Sequence, residues 1–221
     1  MNKLELILFD LDGTLIDSQN GIVNSIRYTL DKMGLPSRGE DELISFIGPP
    51  LLDTFINRCN LNERHAWEAI GFYREYYSKQ GMYECTVYKG LPEMLGVLNH
   101  HRKKLAVATS KATCFAEKIL AHLGLDNQFS LVMGSNLDGT RANKTEVIAC
   151  ALQKAGNGPA TNRHAIMVGD RKYDVLGAKA NSIRSVAVTY GFGSREELTA
   201  AKPDYIASNT RDLTRILLGN N

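Results

Sequence analysis

Two aspartates, Asp10 and Asp12, stand where a short apolar run, Leu4–Phe9, gives way to a glycine. Such a run reads as a buried strand that stops abruptly, and side chains two apart on a strand share a face. Two carboxylates on one face at an exposed strand end are costly unless a cation or a bound substrate compensates them. A metal-assisted phosphoryl-transfer site would be built in that way. By itself Asp-x-Asp-Gly describes an ordinary turn equally well, so the reading depends on what the rest of the chain brings to the same place.

The elements that must position the pair follow from the rhythm of the chain. Apolar runs at 105–109, 129–134, 165–169, 185–189 and 205–207 alternate with amphipathic stretches at 91–102, 112–123, 143–155, 172–181, 194–201 and 211–218. This alternation predicts an α/β fold, a Rossmann-like parallel sheet core covered by helices on both faces, with Leu4–Phe9 as its first strand. Residues 17–85 break the rhythm and read as helices only. One covers 18–33, with Ile22, Ile26 and Leu30 at four-residue spacing, and a second begins at Ser37-Arg-Gly-Glu40, which has capping-box spacing. Two more cover 51–59 and 62–80, parted near Asn60. The expected division is a core of 1–16 and 86–221 with an all-α (helical bundle) cap inserted at 17–85.

Bulk properties exclude several function classes. The 221 residues carry a net charge of +2, with 43% hydrophobic and 23% charged residues, so no basic tract argues for a nucleic acid polymer or an anionic membrane. No run approaches the ~20 apolar residues of a membrane span, and the N-terminus enters a strand directly. Cys59, Cys85, Cys114 and Cys150 are scattered without metal-ligand spacing, which suits reduced thiols in a cytoplasmic protein. Monomer and dimer both stay open.

In an open parallel sheet, ligands bind beyond the carboxyl ends of the strands. The run 105–109 ends in Thr109, Ser110 and Lys111, and the run 165–169 ends in Asp170, with Asp174 four residues on. Lys144 opens a helix after the loop Asp138-Gly-Thr-Arg-Ala-Asn143. Each has a plainer reading: Asp170 and Asp174 as acids in the first turn of a helix, Thr109 as a β-branched strand residue, and Lys144 as a solvated lysine. Together they bring acids, a hydroxyl and an ammonium to one rim.

These four elements resemble, in order and spacing, the four motifs of the haloacid dehalogenase superfamily. Asp10-Leu-Asp12-Gly-Thr14 is similar to the first, Thr109 to the second, Lys144 to the third and Gly169-Asp170-x-x-x-Asp174 to the fourth, and the helical insertion matches the family's cap. The chain most resembles the phosphoglycolate-phosphatase-like group. The resemblance implies a magnesium-dependent phosphatase of small phosphorylated metabolites (phosphoglycolate, a nucleoside monophosphate or a sugar phosphate). In it Asp10 is the nucleophile that becomes an aspartyl-phosphate and Asp12 the general acid and base. Mg2+ is held by Asp10, Asp170 and the backbone carbonyl of Asp12, with Asp174 behind it orienting metal-bound water or Lys144. Thr109 and Lys144 hold phosphoryl oxygens, joined by the backbone N–H groups of Leu11, Ser110 and Lys111. An acid at Asp12 points within the superfamily to phosphate monoesters. A phosphosugar mutase shares both aspartates and a helical cap, and a non-catalytic phosphate-binding protein is the remote alternative.

Other features carry less. The helix break Phe46-Ile-Gly-Pro-Pro-Leu51 matches the family's specificity loop in position, which makes Gly48 and Pro49 candidate substrate contacts, with Asn57, Arg58 and Lys79 further cap groups. Gly191-Phe-Gly193 follows a strand, but Glu196 stands where a dinucleotide fingerprint needs its third glycine. A plain turn is the favoured reading there, lining of the rim the other. The five histidines form no ligand spacing, and Trp67, Tyr73, Tyr76 and Tyr77 read as cap packing.

Overall fold

The protein is described from a computed structural model, which describes residues 4–156 and 162–219. Positions 1–3, 157–161 and 220–221 of the expected core lie outside the described residues. The chain divides into two compact units, Met1–Asp17 with Val87–Asn221, and Ser18–Thr86.

The first unit is a six-stranded sheet. In chain order the first stretch supplies β1 (Leu6–Phe9) and the two-residue β2 (Ile16–Asp17), which pairs with β3 (Thr86–Val87) in a separate ribbon. The main sheet is completed by β4 (Lys104–Ala112), β5 (Leu131–Ser135), β6 (Ala165–Gly169), β7 (Arg184–Val188) and β8 (Tyr205–Ala207). Its order is β5-β4-β1-β6-β7-β8, all parallel. Counting only sheet members this is the doubly wound order 3-2-1-4-5-6, whose switch point, and binding crevice, falls between β1 and the strand that begins the second half, β6. All four β1 residues are buried, as a central strand covered on both faces requires, and each such side chain contributes about 1.5–3 kcal/mol. Leu6 and Leu8 face a cluster with Val147, Ile148, Ala151 and Ala178.

The second unit holds α1 (Gln19–Lys32), α2 (Glu40–Ile44), α3 (Leu51–Cys59) and α4 (Glu63–Tyr77). The buried face of α1 includes Ile22, Ile26 and Leu30, as their spacing predicts, and α1 and α3 pack on α4. Tyr73 and Tyr77 are buried and stacked at 5.2 Å, and Tyr76 donates to Glu84 at 2.8 Å. Asn60 ends α3 in the left-handed region, φ 53°, at the expected break. The capping box expected at Ser37 and Glu40 does not form. The helix begins two residues later, with Gly39 as its N-cap and no side-chain cap bond, and the Glu40 carboxylate pairs with Arg27 of α1 instead. Gly48 (φ 117°) and Pro49 lie between α2 and α3, and Pro50 opens α3.

The remaining helices belong to the first unit: α5 (Leu91–His100), α6 (Thr113–His122), α7 (Lys144–Lys154), α8 (Lys172–Ala180), α9 (Arg195–Ala201) and α10 (Thr210–Leu218). No helix among the described residues is long and apolar enough to cross a membrane.

Candidate active site

Asp10 and Asp170 follow the ends of the neighbouring strands β1 and β6, on either side of the switch point, and the Asp10 N–H donates to the Val168 carbonyl at 2.8 Å. Asp10 lies just beyond β1, and Asp12 sits in the turn after it, bridged to Ile16. The expectation that both carboxylates share one strand face is therefore corrected: the turn, not the strand's alternation, places Asp12. Gly13 makes that turn possible. Its φ is +77°, and a Cβ there would stand 2.2 Å from Asp170 Oδ2, so only glycine fits both the left-handed backbone and the close approach.

Each aspartate of the pair has its own lysine. Asp10 Oδ1 is 2.8 Å from Lys144 Nζ and accepts the Leu11 N–H at 2.7 Å. Asp12 Oδ1 is 2.8 Å from Lys111 Nζ. Lys144 is the first residue of α7, whose N-cap Asn143 accepts from Thr145 N–H. A cation at the positive end of a helix is locally unfavourable. It is held by Asp10, by Asp174 Oδ1 at 2.9 Å and by the Ala108 carbonyl at 3.2 Å. Burial would push the Lys144 ammonium down, but the Asp10 and Asp174 carboxylates outweigh it and hold the lysine charged, above its ordinary range.

Thr109 is buried at the end of the regular part of β4. The strand runs on to Ala112 instead of stopping at Thr109, and its register with β5 shifts between Ala108 and Ala112. Such an irregularity re-aims side chains. It carries Thr109, Ser110 and Lys111, with the Lys111 N–H on Thr109 Oγ1 at 3.2 Å. Lys111 was expected to serve through its backbone; its side chain on Asp12 is the larger finding.

Asp170 and Asp174 are wholly buried. Asp170 accepts the Thr14 hydroxyl at 3.1 Å and the Phe192 N–H at 2.8 Å. Asp174 accepts the Arg171 N–H at 3.1 Å at the start of α8, so it both caps its helix and meets Lys144. Asp10, Asp170 and Asp174 each offer an oxygen within 4.8 Å of the others. Burial first, then the charges of Asp174 and Asp10, push Asp170 well above the ordinary carboxylate value. Burial likewise pushes Asp174 up to about 6, with Lys144 opposing and Asp10 adding to the rise.

The donors are hard oxygens, and four carboxylates (Asp10, Asp12, Asp170, Asp174) face two ammonium groups (Lys111, Lys144). With all four carboxylates ionised two negative charges would remain, a fit for one divalent cation such as Mg2+.

The segment after β7 is the part sequence reasoning underweighted. Gly191-Phe-Gly193 is no plain turn: it lines the rim. A Cβ on Gly191 would stand 2.2 Å from the Gly13 carbonyl and 2.4 Å from Asp170 Cβ. Tyr190 Oη donates to the Thr14 carbonyl at 3.2 Å. Burial, then the Asp170 charge, pushes its phenol up, which keeps it a donor at neutral pH. The signal was available, because the segment leaves the carboxyl end of a strand in the same sheet.

The haloacid dehalogenase-like hydrolase family matches residues 7–188. A 5'-nucleotidase of Pseudomonas aeruginosa is 41% identical over 211 residues, 96% of this chain and 94% of that protein. The tyrosine-protein kinase PtkA of Mycobacterium tuberculosis is 40% identical over 189 residues, 86% of this chain and 63% of the kinase. Among solved structures, that of a predicted phosphatase from Clostridium acetobutylicum superposes with a TM-score of 0.94 at 41% identity, covering 99% of this chain and 100% of that one. With the four motif elements assembled at the switch point of its sheet, the chain belongs to the haloacid dehalogenase-like hydrolase family.

Proposed function

We propose that this protein is a magnesium-dependent phosphatase that hydrolyses small phosphate monoesters through an aspartyl-phosphate on Asp10. The observation that carries the reading is the pairing of Asp10 with the buried Lys144 and of Asp12 with the half-buried Lys111, beside the Asp170 and Asp174 carboxylates. An Asp10 oxygen attacks phosphorus as the ester P–O bond breaks, and Asp12 gives its proton to the departing alkoxide. Asp12 then takes a proton from the water that attacks the aspartyl-phosphate, and the Asp10–phosphorus bond breaks to release inorganic phosphate. Lys144 and the Thr109 hydroxyl offset the charge on the phosphoryl oxygens. For Asp12 to carry its proton, Lys111 must exchange its contact with Asp12 for one with a substrate oxygen, so Lys111 joins the substrate-binding set with Leu11 and Ser110.

Asp10, Asp170 and the Asp12 carbonyl would hold Mg2+, with Asp174 behind them; when bound, the ion supplies Lewis-acid neutralisation of phosphoryl charge. The helical unit is proposed as the substrate-selecting cap, with Gly48 and Pro49 as its contacts. The similarity to a 5'-nucleotidase favours nucleoside monophosphates among the candidate substrates.

The test is phosphate release from nucleoside monophosphates, phosphoglycolate and hexose phosphates, with Mg2+ and with a chelator. Chelation should silence the protein, and Asp10→Asn should lower kcat at least about a thousandfold with the circular dichroism spectrum unchanged. Retained turnover in that variant would place the nucleophile elsewhere. Interconversion of hexose phosphates without free phosphate would replace the hydrolase reading with a mutase.

A further inference from the structure

We propose that Tyr190 is a positioning residue that fixes the spacing between the Asp10–Thr14 loop and Asp170 and thereby sets the site's affinity for its divalent cation. The inference rests on the metal reading above. Its basis is a closed ring of contacts. Tyr190 Oη donates to the Thr14 carbonyl at 3.2 Å, the Thr14 hydroxyl donates to Asp170 Oδ1 at 3.1 Å, and Asp170 Oδ2 accepts at 2.8 Å from the N–H of Phe192, two residues after Tyr190. The ring therefore returns to the segment where it began. Gly191 closes its centre, pressed against the Gly13 carbonyl and the Asp170 side chain. The Tyr88 ring meets the Tyr190 ring edge-on with centroids 4.9 Å apart, which limits the swing of the phenol.

Both Asp170 oxygens are thus aimed by the 190–192 segment and by the loop that the segment holds. Mg2+ demands near-octahedral geometry at short distances, and partners that orient ligands tune affinity for the metal. Tyr190 touches neither phosphate nor cation in this account. It acts through Thr14 and Asp170.

The experiment removes one hydroxyl. Tyr190→Phe keeps the ring, and Mg2+ is titrated into the full-length, metal-free protein by calorimetry, with no substrate present. The expected result is a Mg2+ dissociation constant raised by roughly three- to tenfold. At saturating Mg2+, kcat and the KM for the ester should stay within about twofold of wild type, and the metal-free melting curve should be nearly unchanged. Thr14→Val, which breaks the same ring one bond further on, should weaken Mg2+ in the same direction. Tyr88→Phe keeps the ring contact and should bind Mg2+ as the wild type does.

Wild-type Mg2+ affinity in Tyr190→Phe would overturn the assignment, as would an equal loss in Tyr88→Phe, which would make the effect one of removing any phenol hydroxyl near the site rather than the Tyr190–Thr14 bond. Wild-type protein that takes up no Mg2+ at all would overturn the metal reading itself, a result distinct from either of these.

Discussion

Replacing Asp170 with asparagine should make the metal-free protein more stable while removing its Mg2+ response. Asp170 is wholly buried, and among the described residues its own oxygens accept from neutral donors, the Thr14 hydroxyl and the Phe192 N–H. Its like-charged neighbours Asp10 and Asp174 present oxygens within 4.8 Å. At that distance and an effective dielectric constant of ~20, each like-charge pair costs about 3.5 kcal/mol. Lys144 offsets part of this. Proton uptake sets a ceiling, since holding Asp170 protonated at pH 7.5 against an ordinary value of 3.8 costs about 5 kcal/mol. The expected gain for Asp170→Asn is about 2–4 kcal/mol, or about 6–12 °C in Tm for a chain of this size. The asparagine Oδ1 can accept the Phe192 N–H and its amide can donate to the Thr14 hydroxyl oxygen, which reverses the direction of that bond.

The pH dependence has a definite sign. Asp170 and Asp174 titrate higher in the native protein than in the unfolded chain, so the native state holds protons that the unfolded chain releases. Stability from these groups is full below the ordinary 3.8 and is lost as pH rises through the native values, about 6 for Asp174 and well above 3.8 for Asp170. The advantage of Asp170→Asn should therefore be present at pH 7.5 and vanish near pH 4. Calorimetric melting in chelator at both pH values, then with Mg2+, is the assay. A variant that melts at or below the wild type in chelator at pH 7.5 would refute the claim of uncompensated repulsion.

Lys144→Met removes the ammonium lying 2.8 Å and 2.9 Å from Asp10 and Asp174, and stranding buried carboxylates should cost about 3–5 kcal/mol in chemical denaturation without metal. The sign is opposite to that for Asp170→Asn, although each variant deletes one buried charge. Gly191→Ala puts a methyl 2.2 Å from the Gly13 carbonyl, and forcing loop and strand end apart should cost about 1–3 kcal/mol and weaken Mg2+ binding by calorimetry. An alanine tolerated in both measurements would show that the close approach is not required.

Much of the core was legible because its signals are side-chain signals. The runs 165–169 and 205–207 coincide with β6 and β8, and asking what ends each strand brought Asp10, Thr109, Asp170 and Asp174 to one rim. What escaped the sequence has no side-chain signature. The prolongation of β4 through Ser110 and Lys111 depends on a shifted register, so the Lys111–Asp12 pair could not be foreseen from spacing. The rim at 191–193 is made by a backbone N–H and by the absence of Cβ atoms, so only its place after a strand of the sheet distinguishes it in sequence from any glycine turn. Ser37 and Glu40 show the converse: the spacing of a cap is present, but the helix starts at Glu40 and that glutamate pairs with Arg27.

The same distinction separates reaction from substrate. In the proposed mechanism Asp10, Thr109 and Lys144 address the phosphoryl group, which every phosphate ester shares, so motifs built from them would persist beside different acceptors and leaving groups. A relative named for nucleotide hydrolysis and one named for tyrosine phosphorylation are each about 40% identical to this chain. Discrimination must come from groups that meet the part of the substrate that departs. Within the core, the proposed mechanism makes Lys111 such a group, because an acid at Asp12 that protonates a leaving oxygen must reach it, and Lys111 Nζ lies 2.8 Å from Asp12. An ammonium there favours a leaving oxygen that carries charge as it departs, whereas an apolar side chain would not. On that mechanism the identity of the residue at 111 would bear on leaving-group preference, through the irregular end of β4.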